Sequence, residues 1–185
     1  MITTIRWTGL AAGLLLATAP VLTAAPARAA DSLTTTLHRL TADGTGEAIG
    51  TITITETSKG AVFKTDLKGL PPGDHGIHVH QNGACGPSES NGTKVPGGAA
   101  GGHWDPASTG KHEGPAGHGH RGDLPVLKVA ADGTAKESLT APAIKDLSAL
   151  KGHAIIVHAG GDNSSDEPRP LGGGGARLAC GVIGG

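Results

Sequence analysis

Six histidines and one aspartate, His78, His80, His103, His112, His120, His158 and Asp123, are the side chains of this sequence best suited to chemistry, and they take up most of its ten histidines. Their types point to metal. Imidazole and carboxylate suit zinc and copper, whereas a chain with two cysteines can build neither a thiolate zinc site nor an iron–sulfur cluster. In Gly76-Ile77-His78-Val79-His80 the histidines are one residue apart, so on a strand both project from one face and can grip a single ion. Taken alone, such a pair is as often a surface accident as a ligand pair. His103, His112, His120 and Asp123 supply three imidazoles and a carboxylate, a complete tetrahedral shell for zinc. The competing reading of that stretch is a flexible polar loop with chance histidines, His118 among them. His158 closes the apolar run Ile155-Ile156-Val157, as if a buried strand delivered a polar residue at its rim. A lone histidine in that place is more often a hydrogen-bonded structural residue.

The elements that must position these side chains read as strands. From Leu33 to Leu70 residues alternate with period two, Ile49, Thr51, Thr53 and Thr55 on one side against Gly50, Ile52, Ile54 and Glu56 on the other. Turn signals at Asp43-Gly44, Lys59-Gly60 and Pro72-Gly73 cut this segment into antiparallel strands. A strand follows over Gly76–Gln81, then a long Gly-, His- and Pro-rich loop over Asn82–Asp123. Further strands are predicted over Pro125–Ala130, Ala135–Thr140, His153–His158 and Arg177–Ile183, with a second long loop over Ala159–Ala176. Short strands without a helical period predict an all-β sandwich or barrel, and loops of this length in a compact domain are usually functional.

Residues 1–30 read as a secretory signal peptide. Arg6 is followed by an apolar run from Leu10 to Leu22 and by small residues ending in Ala27-Arg28-Ala29-Ala30, with cleavage expected after Ala29 or Ala30. The run is interrupted by Thr18 and Pro20 and is short for a spanning helix, and no cysteine follows the cleavage site to carry a lipid, so the mature chain is expected to have no membrane anchor. Residues 31–185 are then one domain, long enough for a real core. Cys85 and Cys180 both lie in the exported part, where an oxidising compartment lets a pair persist as a disulfide; the alternative is two unrelated buried thiols. With a net charge of −1, no basic stripe, and only Phe63 and Trp104 as aromatics beyond residue 30, nucleic acid is not an expected partner.

The pieces Gly76-Ile77-His78-Val79-His80, Gly102-His103-Trp104-Asp105-Pro106, Lys111-His112-Glu113-Gly114-Pro115, His120-Arg121-Gly122-Asp123-Leu124-Pro125, Val157-His158-Ala159-Gly160-Gly161-Asp162 and Pro170 to Ile183 occur in that order. Together they resemble the copper/zinc superoxide dismutase family in its exported bacterial form, over nearly the whole of residues 31–185. The resemblance implies an eight-stranded Greek-key β-barrel or immunoglobulin-like sandwich with two long functional loops. It implies one copper per subunit held by His78, His80, His103 and His158, and one zinc held by His103, His112, His120 and Asp123, so that His103 is shared. Asp162 stands where the family has an aspartate that accepts hydrogen bonds from a copper ligand and a zinc ligand, here His78 and His112, fixing their tautomers. Arg177 matches the arginine beside copper that binds the superoxide anion, and Cys85 and Cys180 match the family disulfide tethering the ligand loop to the barrel.

The implied reaction is dismutation of superoxide to dioxygen and hydrogen peroxide outside the cytoplasm, with copper as the redox ion, zinc as the redox-silent one, and His103 taking up a proton when it leaves reduced copper. A rival reading is an exported copper buffer or delivery module on the same fold; Arg177 beside the full ligand set argues against it, since a carrier needs ligands but no substrate cation. Ile77 departs from the aromatic usual in the family. The second loop, with Asp162, Asp166, Glu167 and Arg169, lacks a clear lysine-rich guidance set, leaving Lys94 and Lys111 as candidates by sequence proximity alone. A homodimer is compatible with the sequence, which marks no interface.

Overall fold

A computed structural model of the chain describes residues 1–3 and 32–184. The reading of residues 1–30 as a signal peptide falls on residues 4–30 almost entirely and so lies outside the described part. Among the described residues no helix is long and apolar enough to cross a membrane.

The chain forms strands β1 (Ser32–Thr41), β2 (Gly44–Thr57), β3 (Gly60–Leu67), β4 (Gly73–His75), β5 (Ile77–His80), β6 (Ser88–Ser90), β7 (Thr93–Val95), β8 (Leu127–Val129), β9 (Ser138–Ala141), β10 (Ala154–His158) and β11 (Arg177–Val182). Seven of them make one antiparallel sheet in the order β5-β10-β11-β1-β2-β3-β9. β4 runs on through Gly76 into β5 at one edge and pairs with β8, which is joined by the Ala130–Thr134 turn to the segment leading into β9 at the other edge. This small ladder lies across the curl of the large sheet, giving the Greek-key barrel.

The strand pattern in the sequence is realised with corrections, one of them the short strand β4 where a turn is predicted at Pro72-Gly73. Ile49 is buried together with Ile52 and Ile54, although simple alternation puts it with the threonines. A bulge is the cause: Leu37 faces Gly50 while His38 faces Ala48, and the extra residue reverses the phase of the strand. The stretch over Asn82–Asp123 is not wholly irregular, because β6 and β7 form a hairpin with Ser90 opposite Thr93. Its two turn residues, Asn91 at φ 51° and Gly92 at φ 73°, both take the left-handed conformation of the tightest hairpin turns, so the Asn-Gly pair was the available signal.

Two layers are buried. Ile77 and Val79 of β5, Ile155 and Val157 of β10, and Leu37, Ile52, Ile54 and Phe63 fill the barrel interior. The alternate residues of β5 and β10 point out of the barrel, yet they too are buried, with Ala154 and Ile156 packed against Ala100 and Cys180 beneath the long loop. Cys85 and Cys180 form a disulfide, Cα atoms 5.7 Å apart, that ties this loop to β11. The functional side chains lie in this covered layer between sheet and loops.

Candidate metal centre

His78 and His80 stand on the outward face of β5, opposite Ile156 and Ala154 of β10 respectively, and His158 ends β10 on that same side. The register of β10 against β11 slips at this point: Val157 faces Ala179 and His158 faces Arg177, which turns His158 and Arg177 together at the rim. The long loop then docks on β5. Gln81 N–H donates to Gly102 O, Trp104 N–H to Val79 O and Val79 N–H to Gly122 O, all within 2.8–2.9 Å, so His103 lies beside His80 and Asp123 beside His78. Main-chain pairing thus carries two loop residues to the strand histidines. His112 and His120 belong to the intervening segment, whose ends are held by His120 N–H donating to Lys111 O at 2.8 Å.

Two groups of ligand atoms result, each with all its atoms within 4.8 Å of one another: His78, His80, His103 and His158 in one, and His78, His103, His112 and Asp123 in the other. All of these residues are buried. His103 faces both ways, since its Nδ1 lies 3.0 Å from Asp123 Oδ1 while its Nε2 is buried with no hydrogen-bond partner. His120, expected in the second group, sits slightly outside it, with Nδ1 3.6 Å from Asp123 Oδ1. That nitrogen is also buried and unpartnered. His78 cannot serve two ions, because its Nε2 is committed to Asp162 Oδ2 at 2.6 Å and leaves only Nδ1 free. The unpartnered Nδ1 of His120 therefore has the better claim to the fourth place beside Asp123.

Most of the rings are oriented by a partner on one nitrogen. His80 Nδ1 meets Gly101 O at 2.9 Å, His158 Nδ1 meets Gly175 O at 3.2 Å, and His112 Nε2 meets Asp162 Oδ1 at 2.8 Å. Since Asp162 also holds His78, one carboxylate spans both groups. The nitrogens left over are buried: Nδ1 of His78 and of His120 and Nε2 of His103 have no hydrogen-bond partner, His112 Nδ1 lies 2.9 Å from Asp123 Oδ2, and His80 Nε2 faces His158 Nε2 at 3.3 Å. So many orphaned acceptors converging in a buried space is costly unless cations satisfy them. The residues present therefore fit metal ions.

The electrostatics separate the two groups. Burial lowers the pKa of His78 and of His80, and it brings His158 down to about 3 and His103 to about 4, so these imidazoles are neutral and able to ligate. At His112 burial acts the same way but is outweighed by hydrogen bonds to Asp123 and Asp162, which raise it to about 9. Burial would raise the two carboxylates, yet the hydrogen bonds from His103 and His112 to Asp123, and from His112 and His78 to Asp162, hold both well below the ordinary range. A proton held that firmly marks a negative field that a dication could occupy in its place. The all-imidazole group matches copper, and the group with a carboxylate matches tetrahedral zinc.

Arg177, half-buried at the start of β11, donates through Nη1 to Gly97 O and through Nη2 to Gly101 O at 2.6 Å. Lys94 is committed elsewhere, with Nζ 2.9 Å from Asp43 Oδ1 at the surface. Ile77 is fully buried in the barrel interior under the site. Sequence reasoning left Asp166 without a role, and the structure puts its carboxylate on the main chain of His112 at 2.9 Å.

A Greek-key β-barrel carrying a histidine-rich two-ion centre on its outer face, under two long loops, defines a binuclear metalloprotein. The model of the family described as Copper/zinc superoxide dismutase (SODC) matches residues 48–183. The chain is 56% identical over 147 residues to Superoxide dismutase [Cu-Zn] 2 of Salmonella typhimurium, covering 80% of this chain and 85% of that protein. It is 49% identical over 170 residues to Superoxide dismutase [Cu-Zn] of Brucella abortus, covering 92% and 98%. Among solved structures, the Cu/Zn superoxide dismutase from Brucella abortus superposes with a TM-score of 0.82 at 50% identity, covering 83% of this chain and 99% of that one. The monomeric copper, zinc superoxide dismutase from Salmonella enterica, a solution structure, gives 0.74 at 55% identity with the same coverage. The chain belongs to the copper/zinc superoxide dismutase family.

Proposed function

We propose that this chain is a superoxide dismutase in which His78, His80, His103 and His158 hold copper, His103, His112, His120 and Asp123 hold zinc, and Arg177 binds the substrate anion. Superoxide dismutation is the activity of the family, and copper and zinc are its cofactors. The observation that carries the assignment is a pair of ligand groups that share His78 and His103, with the second nitrogen of His78 taken by Asp162 and unpartnered buried nitrogens turned inward. When bound, copper supplies one-electron redox chemistry and zinc a fixed positive charge. One superoxide is oxidised to dioxygen, and a second, taking up protons, is reduced to hydrogen peroxide.

The chain's own residues divide the remaining work. The Arg177 guanidinium is permanently charged, half-buried and held by two carbonyls beside His80 and His158, so it draws a small anion to the rim. The Nε2 of His103 has no protein partner and is the atom able to hold a proton inside the pocket. Asp123 Oδ1 lies 3.0 Å from its Nδ1, on the side where the two would hold zinc, so Nε2 is left facing the copper set. Asp162 holds His78 and His112 to a common reference, so the two groups keep their spacing.

We also place the mature domain, residues 31–185, outside the cytoplasm after removal of residues 1–30. The Cys85–Cys180 disulfide supports this, since such bonds persist in oxidising compartments. The charged, apolar and small-residue pattern of the first thirty residues adds to it. The test of the whole reading is metal analysis of the purified protein beside a superoxide-removal assay. Copper and zinc in equal amounts with rapid removal are expected; a fully loaded but inert protein would overturn it.

A further inference from the structure

The ligands proposed above differ in how their main chains are held. His78, His80 and His158 sit on strands, and His103 and Asp123 are paired to the edge of β5. His112 has no regular secondary structure of its own and is separated from β5 by the loop it lies in. Its main chain needs another reference. Asp166 supplies one, because its Oδ2 accepts the His112 N–H at 2.9 Å while its Oδ1 accepts the Leu171 N–H at 3.1 Å. The carboxylate therefore joins the two long loops across a sequence separation of 54 residues.

The second bond matters as much as the first. Leu171 has φ 55°, an unfavourable conformation for a residue with a side chain, and that side chain is 40% exposed and so is not held there by burial. The turn it begins carries Gly172, at φ 69°, directly against the site: a Cβ added there would lie 2.3 Å from Asp162 Oδ1 and 2.8 Å from His112 Nε2. By fixing Leu171, Asp166 keeps this backbone packed over the Asp162–His112 hydrogen bond and away from water. His112 is thus gripped twice by the same loop, its ring by Asp162 and its main chain by Asp166.

We propose that Asp166 is a positioning residue for the zinc site, a clamp that sets the loop-borne ligand His112 and closes the Leu171–Gly173 turn over it. The inference rests on the reading of His112 as a zinc ligand. It makes the zinc site, and not the copper set whose members lie on strands or are paired to β5, dependent on a residue that touches no metal. Partners one step removed from a metal typically alter affinity by about 10- to 100-fold when lost.

The experiment uses the purified, disulfide-bonded protein and its Asp166→Ala and Asp166→Asn variants. Zinc release to a chromophoric chelator is timed, cobalt(II) is loaded in place of zinc for its visible spectrum, and copper retention and its electron paramagnetic resonance are followed in parallel. Asp166→Ala is expected to release zinc about tenfold faster or more, with an altered cobalt spectrum and unchanged copper retention. Asp166→Asn, able to accept only one of the two N–H groups, should fall between it and the parent. Zinc release within twofold of the parent in both variants would overturn the clamp, as would equal loss of copper and zinc, which marks general destabilisation. A parent protein that takes up no cobalt or zinc would sink the metal reading itself, and the clamp with it.

Discussion

Arg177 and His80 converge on a single oxygen, the carbonyl of Gly101, which lies 2.6 Å from Arg177 Nη2 and 2.9 Å from His80 Nδ1. One peptide group therefore sets both the proposed substrate-binding cation and the tautomer of a proposed copper ligand, leaving His80 Nε2 free for an ion. Arg177→Ala should lower kcat/KM by about tenfold or more and flatten its dependence on ionic strength. Arg177→Lys, which keeps the charge but not the two-pronged grip, should lie between. Pulse radiolysis at several salt concentrations measures both, and an alanine variant with the parent's rate and salt slope would refute the assignment.

His103 is the residue common to the two proposed ligand sets, so its removal should disturb both. In His103→Ala we expect activity to fall by about 100-fold or more and zinc to be held less tightly. Metal analysis after dialysis, with a superoxide assay, checks this; full dismutase activity in the variant contradicts the shared-ring arrangement.

The disulfide between Cys85 and Cys180 closes a long stretch of chain and pins the loop that bears His103 to β11. Replacing Cys85 with Ser should cost about 2–5 kcal/mol of folding stability. Urea denaturation of the two proteins at equal metal content gives the difference, and coincident midpoints would rule the prediction out.

Stability of the metal-free protein should depend on pH in opposite senses from the two groups. Burial lowers His103 to about 4 and His158 to about 3, so below the ordinary value of 6.5 the unfolded chain binds protons that the native one refuses; their contribution is present above 6.5 and lost as pH falls toward 4 and 3. His112, for which burial is outweighed by Asp123 and Asp162, is raised to about 9; its contribution is complete below 6.5 and lost as pH rises through 9. Denaturation midpoints of the chelator-treated protein across this range should fall on both sides of neutrality. A flat acid limb between 6.5 and 4 would contradict the burial of His103 and His158.

Much of this molecule is legible in its sequence. The alternation of apolar and polar residues over Leu33–Leu70, and the turn pairs Asp43-Gly44 and Lys59-Gly60, mark strands because period two and turn chemistry are local properties of a chain. The same rule puts His78 and His80 on one face of β5. Where a local rule is interrupted, alternation misleads: the bulge opposite Leu37 and His38 turns Ile49 inward, and a register shift of that kind depends on the partner strand.

Residue types and their order determined which metals this chain can hold and which family it belongs to, because ligand chemistry resides in single side chains. The tertiary structure alone decided which nitrogen of each ring is left free, that Gly101 serves both Arg177 and His80, that His120 stands a little outside the Asp123 group, and that Asp166 reaches across to His112. Such contacts join segments tens of residues apart through hydrogen bonds between loops, and no periodicity within either loop encodes them. They exist only once the barrel has brought the two loops over the same face of β5 and β10.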